Sequence, residues 1–199
     1  MSDFDRAAAR EELHALVKER ALQFGDFLLA SGQRSTYYFD GKQVSLDSRG
    51  AYLMALLMLD LMSDWETDAV GGMSIGADPI TGAVCAVAGA QGRALAGVIV
   101  RKEPKARGTR RQVEGPIADG ARIVIVEDAV TTGGSSIKAI EALRREVKAE
   151  IVGLVALVDR MEGGKENLGA AGCEMRSIFT VRDFGIEPPA KRIAIDEGA

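Results

Sequence analysis

The sequence predicts an α/β fold, a parallel sheet flanked by helices with a small N-terminal hood. Three observations carry this expectation. Four apolar runs, over residues 69–75, 94–101, 122–127 and 151–159, are short and nearly continuous, as strands buried on both faces must be. Helical stretches near 79–90 and 135–148 alternate with some of them, and strand–helix alternation builds a parallel sheet wrapped by helices. The polar and glycine-rich residues that stand out follow these runs, at the strand ends where open parallel sheets gather their ligands.

In chain order, Leu13, Leu16, Val17, Arg20 and Ala21 fall at helical spacing. Residues from about 5 to 21 therefore read as an amphipathic helix, with His14 at its surface or boundary. Residues 24–46, FGDFLLASGQRSTYYFDGKQVSL, are aromatic and turn-rich and read as small irregular strands. A helix over 48–62 follows, with Ser48 as its cap. The regular alternation then begins, and 175–181 is expected to add a late strand. No repeat or long linker divides the chain, so residues 1–199 are expected to form one domain, with 1–46 capping the core.

Composition narrows the classes of function. A hydrophobic fraction of 47% and a charged fraction of 27% are ordinary for a globular protein. A net charge of -4 implies no general pull toward nucleic acid or membrane. Every apolar run breaks well short of the ~18 residues a membrane span needs. The polar, acidic start MSDFDRAAAREE does not read as a signal peptide, so a cytoplasmic protein is expected. Cys85 and Cys173 are far apart in sequence and are expected as reduced thiols. His14 is the sole histidine, which leaves a His-based metal site or a Ser-His-Asp triad nothing to build on; Ser-Lys variants stay open.

The most informative stretch is 124–136, VIVEDAVTTGGSS. An apolar run ends in Glu127 and Asp128, two small residues follow, and Thr131, Thr132, Gly133, Gly134, Ser135 and Ser136 lead into helix-forming sequence. Hydroxyls, bare amides and a helix N-terminus make a seat for phosphate, and the two carboxylates suit the hydroxyl pair of a ribose. A plain capping turn explains Ser135 or Thr132 but needs no adjacent acids. The second motif, RKEPKARGTRR over 101–111, sets six basic residues against Glu103. It is either a solvated charged loop or a cationic lid gripping a polyanion. The third, GGMSIGADP over 71–79, would let backbone amides approach a phosphate, although many turns resemble it. The fourth, SGQRSTYYFD over 31–40, offers aromatic residues either to the core or as a wall for a flat base.

Together these stretches resemble the type I phosphoribosyltransferases, and among them the orotate phosphoribosyltransferase family. SGQRSTYYFD, GGMSIGADPI, VRKEPKARGT, VEDAVTTGGSS and VDR carry the likeness along nearly the whole chain. The resemblance implies transfer of the 5-phosphoribosyl group from 5-phosphoribosyl-1-pyrophosphate to orotate, in pyrimidine synthesis. It also implies a need for Mg2+, carried mainly on the substrate's oxygens with no residue assigned as a metal ligand. A homodimer is implied as well, with the basic loop reaching the neighbour's site.

Carried over by motif, the expected catalytic residues are Lys105, Lys102, Arg101 and Asp128. The sugar donor is expected on Arg101, Lys102, Lys105 and Arg107, and along Glu127, Asp128, Ala129, Val130, Thr131, Thr132, Gly133, Gly134 and Ser135. Orotate is expected beside Tyr38, Phe39, Thr131 and Arg160, with Arg160 facing its carboxylate. Two positions depart from the pattern. Arg107 stands where many relatives carry histidine, and Ala30 where many carry lysine, a contact that Arg34 or Lys42 would have to supply. A transferase for another base, or a non-catalytic sensor of the sugar diphosphate, remain the alternatives.

Overall fold

The computed structural model describes residues 4–28, 34–104 and 111–188. The chain opens with helix α1 (Arg6–Leu16), whose Asp5 accepts from the Ala8 amide, and continues in a π-helical turn, Val17–Ala21. Strands β1 (Leu22–Leu28) and β2 (Arg34–Phe39) pair antiparallel in a two-stranded sheet of their own. The short helix α2 (Lys42–Ser45) follows, then α3 (Ser48–Leu61). The core elements come next: β3 (Ala69–Met73), α4 (Ala77–Ala90), β4 (Ala96–Val100), β5 (Val113–Glu114) and β6 (Arg122–Val130). The chain ends in α5 (Gly134–Val147), β7 (Glu150–Asp159), α6 (Gly164–Ala170) and β8 (Met175–Thr180).

The main sheet has the order β5-β4-β3-β6-β7-β8. Its pairs are parallel except for β5, which runs antiparallel at the edge. The pleat of β6 shows why the sheet is wrapped on both faces. Val124 and Val126 join a core with Leu53 and Met58 of α3 and Ile80 and Val84 of α4. Ile123 and Ile125 point the other way, to Ile140 and Leu143 of α5. The expected α/β architecture, the four buried strands and the late strand are present; of residues 24–46, read as small irregular strands, part pairs in β1 and β2, while Lys42–Ser45 is helix α2.

Several local expectations are corrected. Asp47, not Ser48, caps α3: its backbone is extended and its carboxylate accepts from the Arg49 and Gly50 amides, while Ser48 is already helical. The helix expected over 5–21 changes to π-helical hydrogen bonding at Val17. Gly71 and Gly72 do not line a phosphate loop. Both are buried in β3, where a Cβ would stand 1.7 Å from the Val98 carbonyl oxygen and 2.5 Å from that of Val126, so glycine is needed for strand packing. Strand β6 does not stop at Glu127. Glu127 pairs with Ala156, Ala129 with Val158 and Val130 with Asp159, because β7 supplies a ladder for residues of poor strand propensity.

Candidate active site

The carboxyl ends of the parallel strands β3, β4, β6 and β7 lie along one edge of the sheet, and the described Arg101, Lys102, Thr131–Ser135 and Arg160 follow them. At its centre, Val130 ends β6 and Thr131–Gly133 turns into α5. Gly133 holds φ 81°, a left-handed conformation that favours glycine, and no side chain caps the helix start. The first-turn amides of α5 therefore point into a loop of hydroxyls, a seat for an anion. Helix α6, which the sequence reading missed, braces this loop from below. Asn167 Nδ2 donates to the Thr132 carbonyl at 2.9 Å, and a Cβ at Gly164 would lie 2.6 Å from the Thr131 carbonyl oxygen. Seven residues with no strong apolar period give little signal in a sequence. Val130 is buried, and its carbonyl accepts from the Arg160 amide at 2.9 Å.

Glu127 is buried, and its Oε2 accepts from the Ser136 hydroxyl at 3.3 Å and the Ser135 hydroxyl at 3.5 Å. Burial, reinforced by the Asp128 carboxylate, pushes the Glu127 carboxyl well above its usual range. Asp128 is half-buried and accepts from the Ala129 amide through Oδ1 at 2.8 Å. Two glycines bring other segments against this pair. A Cβ at Gly76, in the turn between β3 and α4, would lie 3.1 Å from Glu127 Oε1, and one at Gly41, beside the hood, 2.6 Å from Asp128 Cβ. Lys42 follows Gly41 and pairs with Asp40 Oδ1 at 2.5 Å. That bond, with Asp128 adding to it, holds the Lys42 ammonium above its ordinary range.

The alternation of β2 splits the tyrosines: Tyr37 is buried and Tyr38 exposed, with Phe39 half-buried. The Tyr38 ring lies 5.8 Å from that of Phe27. Arg160 Nε donates to the Tyr37 hydroxyl at 2.9 Å and lies 3.0 Å from Glu162 Oε1. Tyr37 and Glu162 were not singled out as site residues in the sequence, where 31–40 offered its aromatic residues either to the core or as a wall for a base. Thr131 and Arg160 stand just past the ends of adjacent strands, as expected.

The basic segment is anchored at its base. Arg101 Nη1 bonds Glu114 at 2.8 Å, and Gln112 Nε2 donates to the Arg101 carbonyl at 2.7 Å. The Gln112 and Val113 amides both donate to Glu146 of α5. Lys102 is exposed and lines two clefts of about 500 Å³ each, one reaching Ser135 and the other Ser74 and Asp78. The Ser74 hydroxyl lies 3.0 and 2.9 Å from the two Asp78 oxygens, so its single proton is shared between them. Lys105 and Arg107, and likewise Ala30, lie outside the described residues, and nothing is described of the Arg34 side chain. Among the described residues, no group of three or more His, Cys, Asp or Glu side chains converges as a metal site.

Comparison with known proteins agrees with this geometry. A family model described as "Phosphoribosyl transferase domain" matches residues 71–184. The orotate phosphoribosyltransferase of Rhodopirellula baltica is 45% identical over 182 residues, covering 88% of this chain and 94% of that protein. The crystal structure of Mycobacterium tuberculosis H37Rv orotate phosphoribosyltransferase with Fe(III) dicitrate superposes with a TM-score of 0.80 at 37% identity, covering 89% of this chain and 99% of that one. The same enzyme in complex with 5-phospho-alpha-D-ribosyl 1-diphosphate gives 0.76 at 34% identity, over 89% and 99% of the two chains. With that coverage and identity, the chain belongs to the orotate phosphoribosyltransferase family of phosphoribosyltransferases.

Proposed function

We propose that the protein transfers the 5-phosphoribosyl group from 5-phosphoribosyl-1-pyrophosphate to orotate, giving orotidine 5'-monophosphate and pyrophosphate. The observation that carries this reading is the uncapped start of α5 following buried Glu127 and half-buried Asp128 at the end of β6. The 5'-phosphate would sit on the amides and hydroxyls of residues 131–135, and the ribose hydroxyls on Glu127 and Asp128. Orotate would lie beside Tyr38 and Phe39, with Arg160 meeting its carboxylate.

Nucleophile and leaving group exchange at the anomeric carbon while positive charge develops on the sugar ring. Orotate can present an anionic ring nitrogen, so no strong protein base is required. The demanding step is the charge that builds on departing pyrophosphate, and Arg101, Lys102 and Lys105 would stabilise it electrostatically. Mg2+, when bound, would neutralise diphosphate oxygens. Among the described residues no group of three or more acids converges that would hold the ion alone, so substrate oxygens would supply most of its octahedral shell.

The expected assembly is a homodimer with the basic loop shared between subunits, and the expected compartment is the cytoplasm. Among the described residues no helix is long and apolar enough to cross a membrane. Residues 1–199 are expected to act as one domain. A spectrophotometric assay of orotate loss, with Mg2+ and the sugar donor, tests the reading. Donor- and metal-dependent loss of absorbance is expected, and no loss with orotate under those conditions overturns it.

A further inference from the structure

Arg160 occupies an unusual setting for a residue that must meet a substrate. Its side chain is only 13% exposed, and its ion-pair partner Glu162 only 8%. Tyr37, whose hydroxyl accepts from Nε, is 5% exposed. The guanidinium carbon also stands 4.8 Å from the centroid of the Tyr37 ring. Burial raises the Tyr37 phenol above its ordinary range, so it stays neutral around pH 7. A guanidinium carries five N–H donors in a rigid plane, and fixing one edge fixes the direction of the others.

We propose that Tyr37 and Glu162 are positioning residues for base recognition: by holding the Nε edge of Arg160 they leave its Nη end to meet the carboxylate of the pyrimidine. The proposal rests on the orotate reading above and deepens it. Two segments far apart in sequence build the clamp. Tyr37 comes from β2 of the hood, one residue before exposed Tyr38, so the hood strand that carries the aromatic wall also holds the arginine. Glu162 comes from the turn after β7. There the Met161 amide donates to Asp159 Oδ1 at 2.7 Å, and Met161 itself adopts φ 56°, uncommon for a residue with a side chain. That turn brings Glu162 back beside the residue two before it. The two groups carry opposite charge, which offsets part of the cost of holding them away from water.

Steady-state kinetics with orotate and the sugar donor test the clamp. Tyr37→Phe keeps the ring and its packing but removes the acceptor for Nε. The Michaelis constant for orotate is expected to rise about tenfold, the scale of one hydrogen bond to a charged group, while that for the donor moves less than about twofold. In an Arg160→Ala background the same substitution should add nothing, because Tyr37 acts only through Arg160. An unchanged orotate constant in Tyr37→Phe, an equal rise for both substrates, or full additivity with Arg160→Ala overturns the clamp. If Arg160→Ala itself leaves the orotate constant unchanged, the carboxylate reading falls and the clamp with it. An effect of Arg160→Ala with none from Tyr37→Phe sinks the clamp alone.

Discussion

Gly41 lies against Asp128 so closely that a Cβ on Gly41 would stand 2.6 Å from the Asp128 Cβ and 2.9 Å from its Oδ2. The segment after β2 meets the Asp128 carboxylate at this point, with only a hydrogen between them. The backbone of Gly41 is right-handed, so alanine there is unstrained locally and acts purely by volume. Gly41→Ala should push Asp128 or α2 aside and lower kcat/KM by about tenfold or more, the effect of overpacking by roughly 1–3 kcal/mol. Comparing kcat/KM with the urea midpoint separates site displacement from general destabilisation. An unaltered kcat/KM would show that the hood does not set the Asp128 position.

The buried Glu127 carboxyl makes a prediction about pH. Its folded-state pKa is raised to about 8, chiefly by burial and then by Asp128, against an ordinary 4.5. Between those values the unfolded chain has lost the proton and the folded chain keeps it, so stability falls as pH rises. The contribution is complete below about pH 4.5 and fully lost above about pH 8, with a slope of at most about 1.4 kcal/mol per pH unit. Glu127→Gln should flatten that part of the profile, measured as urea midpoints from pH 5 to 9. Parallel profiles for the two proteins would contradict the protonated state.

Ribose hydroxyls that donate to Glu127 favour its ionised form. Binding of the sugar donor with Mg2+ at pH 7 should therefore release a proton, seen as a binding enthalpy that varies with the ionisation heat of the buffer. Glu127→Gln should remove most of that variation. Buffer-independent enthalpy in the parent protein would place the ribose elsewhere.

Asn167 reaches the Thr131–Gly133 loop, the proposed phosphate seat, from α6 through the Thr132 carbonyl. Asn167→Ala should loosen that loop, raising the Michaelis constant for the donor by about threefold to tenfold, the scale of a single neutral hydrogen bond of ~1 kcal/mol. Orotate affinity should change far less. A larger effect on orotate than on the donor would remove α6 from phosphate binding.

Lys105 lies outside the described residues, and its role rests on the basic motif. Lys105→Ala should depress turnover about a hundredfold, by roughly 2–4 kcal/mol of transition-state stabilisation, with little change in melting temperature. Unchanged turnover would exclude Lys105 from leaving-group stabilisation.

Much of this molecule was legible from residue order. The buried runs in β3, β4, β6 and β7 announced a parallel sheet because strands covered on both faces are continuously apolar. The Glu127-to-Ser136 stretch announced its chemistry because hydroxyls and glycines before a helix are rarely needed together otherwise. Less legible were α2, β5 and α6, which have four, two and seven residues, too few to establish a period. Asp47 was missed as a cap because Asp47 and Ser48 both have side-chain oxygens suited to that position, and only backbone conformation chooses between them.

The sequence by itself determined the class of fold and the family resemblance, since each depends on contiguous residues and their local pattern. Only the tertiary structure decided that Gly71 and Gly72 serve strand packing, that Gly41 and Gly76 close on the acids, and that Tyr37 and Glu162 hold Arg160. Tyr37 and Arg160 are 123 positions apart along the chain. Which buried hydroxyl meets which guanidinium is set by how the hood packs on the sheet, and that is a property of the assembled fold, with no trace in local composition or periodicity.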